Sequence, residues 1–252
     1  MNKQIIIGWL YPQLMSTYGD KGNILVLQKR CEWRGIKTEI VNIDKTTPEN
    51  KIKTIDLLFG GGAQDREQEI VMKDLQLKKK IIKTLIENGI PALFVCGAPQ
   101  LMGHYYEPAK EKRIEGLGIF DIVSKHTGSK ENRLIGNVVA KIETNNLNNP
   151  YLVGFENHGG RTYLGKTAKP FAKIIKGFGN NGKDGTEGVI YKNAIGSYLH
   201  GPLLPKNPQV ADWLITKALE LKYNSQIELE QLDDSLEQKA KQTIANRLGI
   251  GV

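Results

Sequence analysis

Apolar runs and amphipathic stretches alternate along the first hundred residues of the chain. Short apolar runs of this kind, bounded by turn residues, predict buried strands. Because the stretches between them have helical spacing, the pattern predicts a mainly parallel sheet covered by helices on both faces. The strand-like runs are KQIIIGWLYP, KTEIVNI, IDLLFGGG and ALFVC.

Two amphipathic stretches predict the helices of this first half. The first is DKGNILVLQKRCEWRG, with Gly35 at the stop position. Its predicted inner face consists of Ile24, Leu25, Leu27, Cys31 and Trp33. The second is a single long helix, roughly from Arg66 to Glu87. Its predicted inner stripe consists of Ile70, Val71, Leu75, Ile81, Ile82, Leu85 and Ile86.

The second half of the chain changes character. Short strand-like runs separated by glycine and asparagine turns predict antiparallel strands, added to the sheet or beside it. A helix, NPQVADWLITKALELKY, and a charged helical tail, DDSLEQKAKQTIANRL, follow. With no repeat and no long linker in the sequence, we expect one domain over residues 1–252, with the tail at about residues 225–252.

Composition narrows the class of protein. A chain of 252 residues can bury a sizeable core, and two distant cysteines do not make a disulfide scaffold. The N-terminal apolar run is too short for a signal peptide, and no stretch approaches membrane-spanning length, which predicts a cytoplasmic protein. The net charge of +8 admits a polyanion partner, but the lysines are spread along the chain and no nucleic-acid motif accompanies them. We therefore expect no nucleic-acid binding and no transmembrane segment.

Cys96 lies where the strand ALFVC ends, and Gly97 and a helix-like segment follow. Ligands bind at the carboxyl ends of strands in open α/β sheets. A strand–nucleophile–helix turn lifts its side chain from the sheet, and the next residue can offer an amide to an oxyanion. Gly97 suits the sharp turn, and a helix N-terminus favours a thiolate. The alternative is a buried thiol without chemistry, which is how we interpret Cys31.

A cysteine nucleophile needs a base, and the chain has four histidines. His200 ends the strand-like run AIGSYLH and can reach the same sheet edge as Cys96. His158, in ENHGGR, either lines the site or is structural. His104 and His126 lie in local or exposed settings. Spacing therefore favours His200.

The triple glycine in FGGGAQD also ends a strand. Glycines there allow close backbone approach and unusual φ/ψ angles. A phosphate loop is not indicated, because the Lys-Ser/Thr of a Walker motif is missing. We interpret Gly61 and Gly62 as a second source of oxyanion amides, packed beside Cys96 and Gly97.

Several segments together resemble class I glutamine amidotransferases of the cobyric-acid-synthase-like branch. The resemblance is closer still to the glutaminase subunits of lipid II isoglutaminyl synthases of Gram-positive bacteria, and it runs from about Tyr18 to Asn207. It implies a three-layer α/β fold with a mainly parallel central sheet and antiparallel additions. The segments that carry it include TYGDKGNILVL, FGGGAQDREQ, VCGAPQLMGHYY, GFENHGGRTYLG and YKNAIGSYLHGPLLPKN.

The resemblance implies roles for individual residues. Cys96 would attack the glutamine amide, His200 would act as base and then acid, and Arg133 would bind the substrate α-carboxylate. Two departures from the family pattern stand out: the turn is CGAP rather than Cys-Gly-Gly, and Pro202 stands where many members have a triad glutamate. Candidate orienters of the histidine are Asp20 and Glu156, of which Asp20 is preferred because its loop follows the first strand.

The resemblance also implies a partner. The chain would hydrolyse L-glutamine through a Cys thioester and pass ammonia to a Mur-ligase-like subunit in a heterodimer. That partner would use ATP to amidate D-glutamate in the lipid II stem peptide, giving D-isoglutamine in peptidoglycan. No metal or cofactor is expected in this chain. The alternatives are a cobyric-acid-type amidotransferase, whose synthetase half is usually fused, a stand-alone γ-glutamyl hydrolase, and a non-enzymatic basic binding module.

Overall fold

Fourteen strands and seven α-helices are found in the computed structural model, which describes residues 3–128, 133–143 and 149–251. The strands are β1 (Gln4–Leu10), β2 (Lys37–Ile43), β3 (Leu57–Gly60), β4 (Ala92–Val95), β5 (Tyr105–Glu107), β6 (Ile114–Glu115), β7 (Ile122–His126), β8 (Leu134–Ile142), β9 (Tyr151–His158), β10 (Gly160–Leu164), β11 (Ala172–Lys176), β12 (Thr186–Glu187), β13 (Val189–Tyr191) and β14 (Ala194–Ser197). The helices are α1 (Lys21–Glu32), α2 (Glu49–Ile52), α3 (Asp65–Leu75), α4 (Lys79–Glu87), α5 (Gly97–Met102), α6 (Pro208–Tyr223) and α7 (Ser235–Arg247).

A six-stranded sheet in the order β13-β14-β4-β3-β1-β2 forms the middle of the molecule. Neighbouring strands from β14 to β2 run parallel, and only the edge strand β13 is antiparallel. The predicted mainly parallel sheet with an antiparallel addition is thus confirmed. Parallel strands end at a common edge, so the loops after β14, β4, β3 and β1 come together there.

Side chains of the central strands alternate between two apolar cores. Ile5, Leu57 and Phe59 face a core shared with α1 and α6. Leu58 and Phe94 face a second core shared with α3, α4 and α5. Because successive strand residues point to opposite faces, an almost continuous apolar sequence serves both layers. The predicted three-layer α/β fold is confirmed.

Two smaller four-stranded sheets lie beside the central one. Their strand orders are β10-β7-β5-β6 and β12-β11-β8-β9. The long antiparallel pair β8–β9 matters for the site, because Phe155 of β9 exchanges two backbone hydrogen bonds with His200, at 2.7 and 3.3 Å. The second half is therefore largely antiparallel as predicted, although β14 pairs in parallel with β4 and β7 pairs in parallel with β5.

The predicted long helix from Arg66 to Glu87 is wrong in one respect, since it is two helices, α3 and α4. Leu75 and Ile81 are both buried, but they lie six positions apart. Residues on one face of a helix recur at spacings of three, four or seven, so a single helix would not place both on its buried face. Between the two helices Leu77 is 78% exposed, and Lys78 turns inward to pair with Asp74 at 2.7 Å.

The predicted inner face of α1 is also partly wrong. Ile24, Leu27 and Cys31 are buried, but Leu25 is 49% exposed and Trp33 is 58% exposed. Leu25 lies one position from Ile24, on a neighbouring side of the helix, and Trp33 comes after the last residue of α1.

The C-terminal tail lies against the α1–α6 layer. Arg30 of α1 contacts Asp212 of α6 and Asp234 of the tail, each at 2.6 Å, while its own side chain is 2% exposed. Lys241 of α7 donates to the Tyr151 carbonyl at 2.9 Å.

Within the described ranges, the chain has no helix with the length and apolar character needed to cross a membrane.

Candidate active site

Three predicted site residues and the triple-glycine loop meet at the carboxyl edge of the central sheet. Cys96 directly follows β4, and its amide donates to the Ser197 carbonyl at the end of β14, at 2.8 Å. His200 follows β14 by three residues, the triple glycine closes β3, and Asp20 lies in the loop after β1. The order of the parallel strands therefore brings residues 180 positions apart into one site.

Cys96 itself forms the sharp turn between β4 and α5. Its backbone has φ 55° and ψ −98°, a conformation that costs energy for a residue with a side chain. This corrects the prediction that Gly97 supplies the turn. Gly97 is required for space instead, because a Cβ there would lie 3.0 Å from the Ala63 amide nitrogen.

His200 is fully buried and sits between Cys96 and Asp20. Its Nδ1 lies 3.4 Å from Asp20 Oδ1. Its other ring nitrogen, Nε2, is buried and has no hydrogen-bond partner among the described residues. Burial alone would lower the pKa of His200, but the Cys96 thiolate and the Asp20 carboxylate raise it to about 10. The arrangement therefore favours the imidazolium form of His200.

Asp20 is buried and holds two parts of the site at once. Besides facing His200, it accepts the Gly62 amide hydrogen on Oδ2 at 2.6 Å. Glu156, the alternative orienter, accepts the amides of Phe178 and Gly179 at 2.7 and 2.9 Å instead. Of the two carboxylates proposed from the sequence, the geometry favours Asp20.

The triple-glycine loop packs against the Cys96 turn as expected, but its amides are not equivalent. The Gly62 amide is directed at Asp20, which removes it from the predicted oxyanion donors because one N–H cannot serve both groups well. None of the three glycines has a positive φ. Close approach is what they provide: a Cβ on Gly62 would lie 2.3 Å from Thr17 Oγ1 and 3.2 Å from His200 Cε1.

Arg133 immediately precedes β8 and contacts the paired strand β9 through Asn157. Its Nε donates to Asn157 Oδ1 at 2.9 Å and its Nη2 to the Asn157 carbonyl at 2.7 Å. Asn157 is two residues from Phe155, which bridges to His200. The guanidinium is exposed and anchored through two donors, a geometry open to a carboxylate. Its predicted role stays a prediction.

The remaining histidines occupy other settings. His104 is half-exposed and pairs with Asp121 at 2.9 Å, and His126 accepts the Gly128 amide at 2.9 Å. His158 is buried, contacts the Gly160 carbonyl through Nδ1 at 2.8 Å, and stacks on Tyr198 with ring centroids 3.8 Å apart. Burial lowers the pKa of His158, so it is kept neutral.

Cys31 has none of the features of Cys96. It is fully buried in α1, and burial raises its pKa to about 12. A thiol in this environment stays protonated and inert at neutral pH. The sequence interpretation of Cys31 as a core residue agrees with its place in the structure.

Sequence reasoning missed several residues around Cys96. Tyr18, half-exposed and with φ 54°, sets its ring edge-on to His200 with centroids 4.9 Å apart. Gln68, Gln100 and Tyr198 are buried polar residues that form a hydrogen-bonded chain beside the Cys96 turn. The sequence contained one indication of Gln68. It lies on the buried face of α3, one turn before Val71 and Met72, and a polar residue on a buried face suggests a specific role.

The model of one protein family, described as the CobB/CobQ-like glutamine amidotransferase domain, matches residues 6–208. The chain is 42% identical to the lipid II isoglutaminyl synthase (glutamine-hydrolyzing) subunit GatD of Streptococcus pneumoniae, over 94% of this chain and 88% of that protein. It is 40% identical to the protein of the same name from Staphylococcus aureus, over 92% of this chain and 91% of that protein. A cobyric acid synthase of Desulforamulus reducens is 30% identical over 67% of this chain, but only 34% of that protein is covered.

Solved structures agree on the fold. A glutamine amidotransferase crystal structure superposes with a TM-score of 0.57 at 14% identity, over 84% of this chain and 98% of that one. The glutaminase domain of Trypanosoma brucei CTPS with bound acivicin also gives a TM-score of 0.57 at 14% identity, over 90% of this chain and 97% of that one. At this identity the likeness supports the architecture alone.

Proposed function

Because the chain belongs to the family of CobB/CobQ-like glutamine amidotransferase domains, we propose that it hydrolyses L-glutamine at Cys96 and supplies ammonia for the amidation of lipid II. The observation that carries the proposal is the arrangement of Cys96, His200 and Asp20 at one sheet edge. It occurs in a chain that matches the two GatD subunits over more than nine-tenths of its length.

The first half of the reaction forms a thioester. The Cys96 thiolate attacks the carboxamide carbon of glutamine, and the carbonyl oxygen becomes an oxyanion. The amides of Gly61 and Gly97 are the proposed donors to it. His200, protonated beside the thiolate, gives its proton to the amide nitrogen, the C–N bond breaks, and ammonia leaves.

The second half regenerates the thiolate. Neutral His200 takes a proton from water, and the resulting hydroxide attacks the thioester carbonyl. The C–S bond breaks, glutamate is released, and the thiolate again faces an imidazolium. Asp20 holds the imidazole through Nδ1, so that Nε2 carries the proton in both steps. Arg133 is proposed to receive the α-carboxylate of the substrate, which suits a guanidinium fork.

A second subunit is part of the proposal. Amide formation from a carboxylate needs activation, and no Walker motif occurs in this sequence. The two GatD relatives are by name subunits of a lipid II isoglutaminyl synthase. We therefore propose a heterodimer with an ATP-dependent Mur-ligase-like subunit that amidates D-glutamate of the stem peptide.

The test is reconstitution with that partner. The chain and a Mur-ligase-like subunit from the same genome are combined with glutamine, ATP and lipid II, and amidated lipid II is measured by mass spectrometry. Cys96→Ala should abolish product made from glutamine but not from free ammonium. Cys31→Ala is the matched control and should retain glutamine-driven product.

Two outcomes would contradict the proposal. A Cys96→Ala complex that still uses glutamine would exclude Cys96 as the nucleophile. Full glutamine turnover by the isolated chain, unchanged by any partner, would instead favour a stand-alone γ-glutamyl hydrolase.

A further inference from the structure

Gln68 of α3 links the triple-glycine loop to the helix that starts at the nucleophile. Its Nε2 donates to the Ala63 carbonyl at 3.1 Å and to Gln100 Oε1, also at 3.1 Å. Gln100 lies in α5, one turn after Cys96, and its own Nε2 donates to the Tyr198 hydroxyl at 2.9 Å. One buried amide nitrogen therefore holds two elements that both border the thiol.

The contact lies at the closest approach of the loop and the turn. A Cβ at Gly97 would lie 3.0 Å from Gln68 Nε2, 3.0 Å from the Ala63 nitrogen and 3.1 Å from the Ala63 oxygen. On the other side of the loop, Gly62 is fixed by Asp20. The glycine loop is thus held at two points, by Asp20 at Gly62 and by Gln68 at Ala63.

The other polar atom of the Gln68 side chain, Oε1, indicates that this glutamine is present for a reason other than core stability. Gln68 is 2% exposed, and its Oε1 is buried with no hydrogen-bond partner in the described part of the chain. The two carbonyl-type acceptors around Nε2 fix which end of the amide is the donor. Leaving a buried acceptor unpaired costs stability, so an apolar residue would serve the core better.

We propose that Gln68 is a positioning residue, which holds the glycine loop against the Cys96 turn and so keeps the oxyanion amides in register with the thiolate. It does not touch the reacting atoms. Its effect falls on the tetrahedral oxyanion rather than on bound glutamine, because donor placement matters most where charge develops. The inference rests on the proposed glutaminase function and adds a residue to its site.

The test compares Gln68→Met with Gln76→Met. Both glutamines lie at or near α3 and donate Nε2 to backbone carbonyls. Gln76 donates to Glu115 at 2.9 Å and to Gly116 at 3.3 Å, and neither partner belongs to the glycine loop or to α5. We expect Gln68→Met to lower kcat of glutamine hydrolysis by about 10- to 100-fold with KM within about twofold, somewhat below the loss of a direct oxyanion donor. Gln76→Met should leave both constants near the wild-type values. Gln68→Glu, which keeps the shape but replaces the donor by an acceptor, should be at least as impaired as Gln68→Met.

A second measurement separates positioning from folding. The aldehyde analogue of glutamine adds to Cys96 and forms a tetrahedral oxyanion, whereas glutamine bound to a Cys96→Ala background reports the ground state. In Gln68→Met, aldehyde affinity should fall by the same factor as kcat/KM, while glutamine affinity in Gln68→Met/Cys96→Ala should match that of Cys96→Ala.

Alkylation of Cys96 by iodoacetamide counts folded sites with a competent thiolate. Equal loss of aldehyde and glutamine binding would overturn the inference, and so would unchanged kcat in both Gln68 variants. Neither result would touch the proposed function, which is tested separately by the requirement for Cys96 and by the dependence on the partner subunit.

Discussion

At the residue scale, His200 depends on the two groups that flank it. The Cys96 thiolate and the Asp20 carboxylate together overcome burial, which on its own would leave the imidazole neutral. His200→Ala removes both the proposed proton donor to the leaving amide nitrogen and the proposed base for water. We expect glutamine turnover to fall by about 10²- to 10⁴-fold. His104→Ala, which breaks only an exposed contact with Asp121, is the control and should retain most of the activity. If His200→Ala lowers turnover only slightly and His158→Ala lowers it strongly, the assignment of His200 as the base is wrong.

The pKa of His200 also predicts how stability varies with pH. It is raised from 6.5 to about 10 in the folded protein, so the folded state holds this proton more tightly than the unfolded state. The resulting stabilisation is complete below pH 6.5 and is lost as the pH rises towards 10. Urea unfolding of wild type and His200→Gln across this range should give a difference that shrinks with rising pH. A difference that grows over the same range would contradict a raised pKa of His200.

Arg133 tests the substrate assignment. Its guanidinium already uses two donors on Asn157, which fixes its direction. Arg133→Ala should raise KM for glutamine by about tenfold or more, and Arg133→Lys should recover only part, because a lysine has no fork. The double comparison uses a glutamine analogue without the α-carboxylate. If Arg133→Ala costs as much with that analogue as with glutamine, the arginine does not bind the carboxylate.

Sequence reasoning identified Cys96, His200 and Asp20 as neighbours because parallel strands end at one edge. It did not predict which residue of the turn would adopt the strained backbone conformation. The pattern CGAP suggested a glycine turn, whereas the positive φ falls on Cys96 and Gly97 makes room for Ala63. The hydrophobic pattern indicates which residues are buried and whether they lie in helices or strands. It does not indicate which loops contact each other in the folded protein. For the same reason it gave Gly62 an oxyanion role while its amide is bound to Asp20.

At the scale of elements, the strand–helix alternation predicted the central sheet well and the helix boundaries less well. The boundary between α3 and α4 was readable in the six-residue step from Leu75 to Ile81, but lysines with good helix propensity concealed it. Exposed Leu25 and Trp33 show the converse error, since an apolar residue on a helix is not necessarily an inward one.

The tail is joined to α1 mainly through charge. Arg30 is buried and forms ion pairs with Asp212 and Asp234. Arg30→Ala therefore removes the cation paired with Asp234, whereas Asp212 keeps its ion pair with Arg34 at 2.8 Å. We expect the free energy of unfolding to fall by about 1–3 kcal/mol, because both carboxylates are 25% exposed and are not left in a dry interior. The adjacent Lys29 is the matched control: its pair with Glu32 is exposed, and Lys29→Ala should change stability by less than about 1 kcal/mol. Urea unfolding of both variants measures the difference, and equal effects would show that Arg30 is not what fastens the tail.

At the scale of the whole molecule, one edge of the sheet carries the chemistry and the rest of the chain supports it. The family match ends at residue 208, where α6 begins, so α6 and α7 lie beyond it while packing on the layer that contains α1. Cys96 is 9% exposed, and the half-exposed ring of Tyr18 lies against His200 at the same edge. Ammonia released into water would be diluted and mostly protonated, which makes it a poorer nucleophile for the acceptor. The proposed function would therefore benefit from a partner surface that covers this edge.

This expectation gives a prediction for the proposed complex. Glutamine labelled with ¹⁵N at the side-chain amide is supplied together with an excess of unlabelled ammonium, and the nitrogen in amidated lipid II is read by mass spectrometry. If ammonia passes from Cys96 to the partner without entering the solvent, the product should carry mostly ¹⁵N despite the excess. Cys96→Ala in the same complex should give unlabelled product only, which shows that the acceptor site still works. Product labelled in proportion to the mixed ammonium pool would mean that ammonia escapes before it reacts, and that the Cys96 edge is not sealed by the partner.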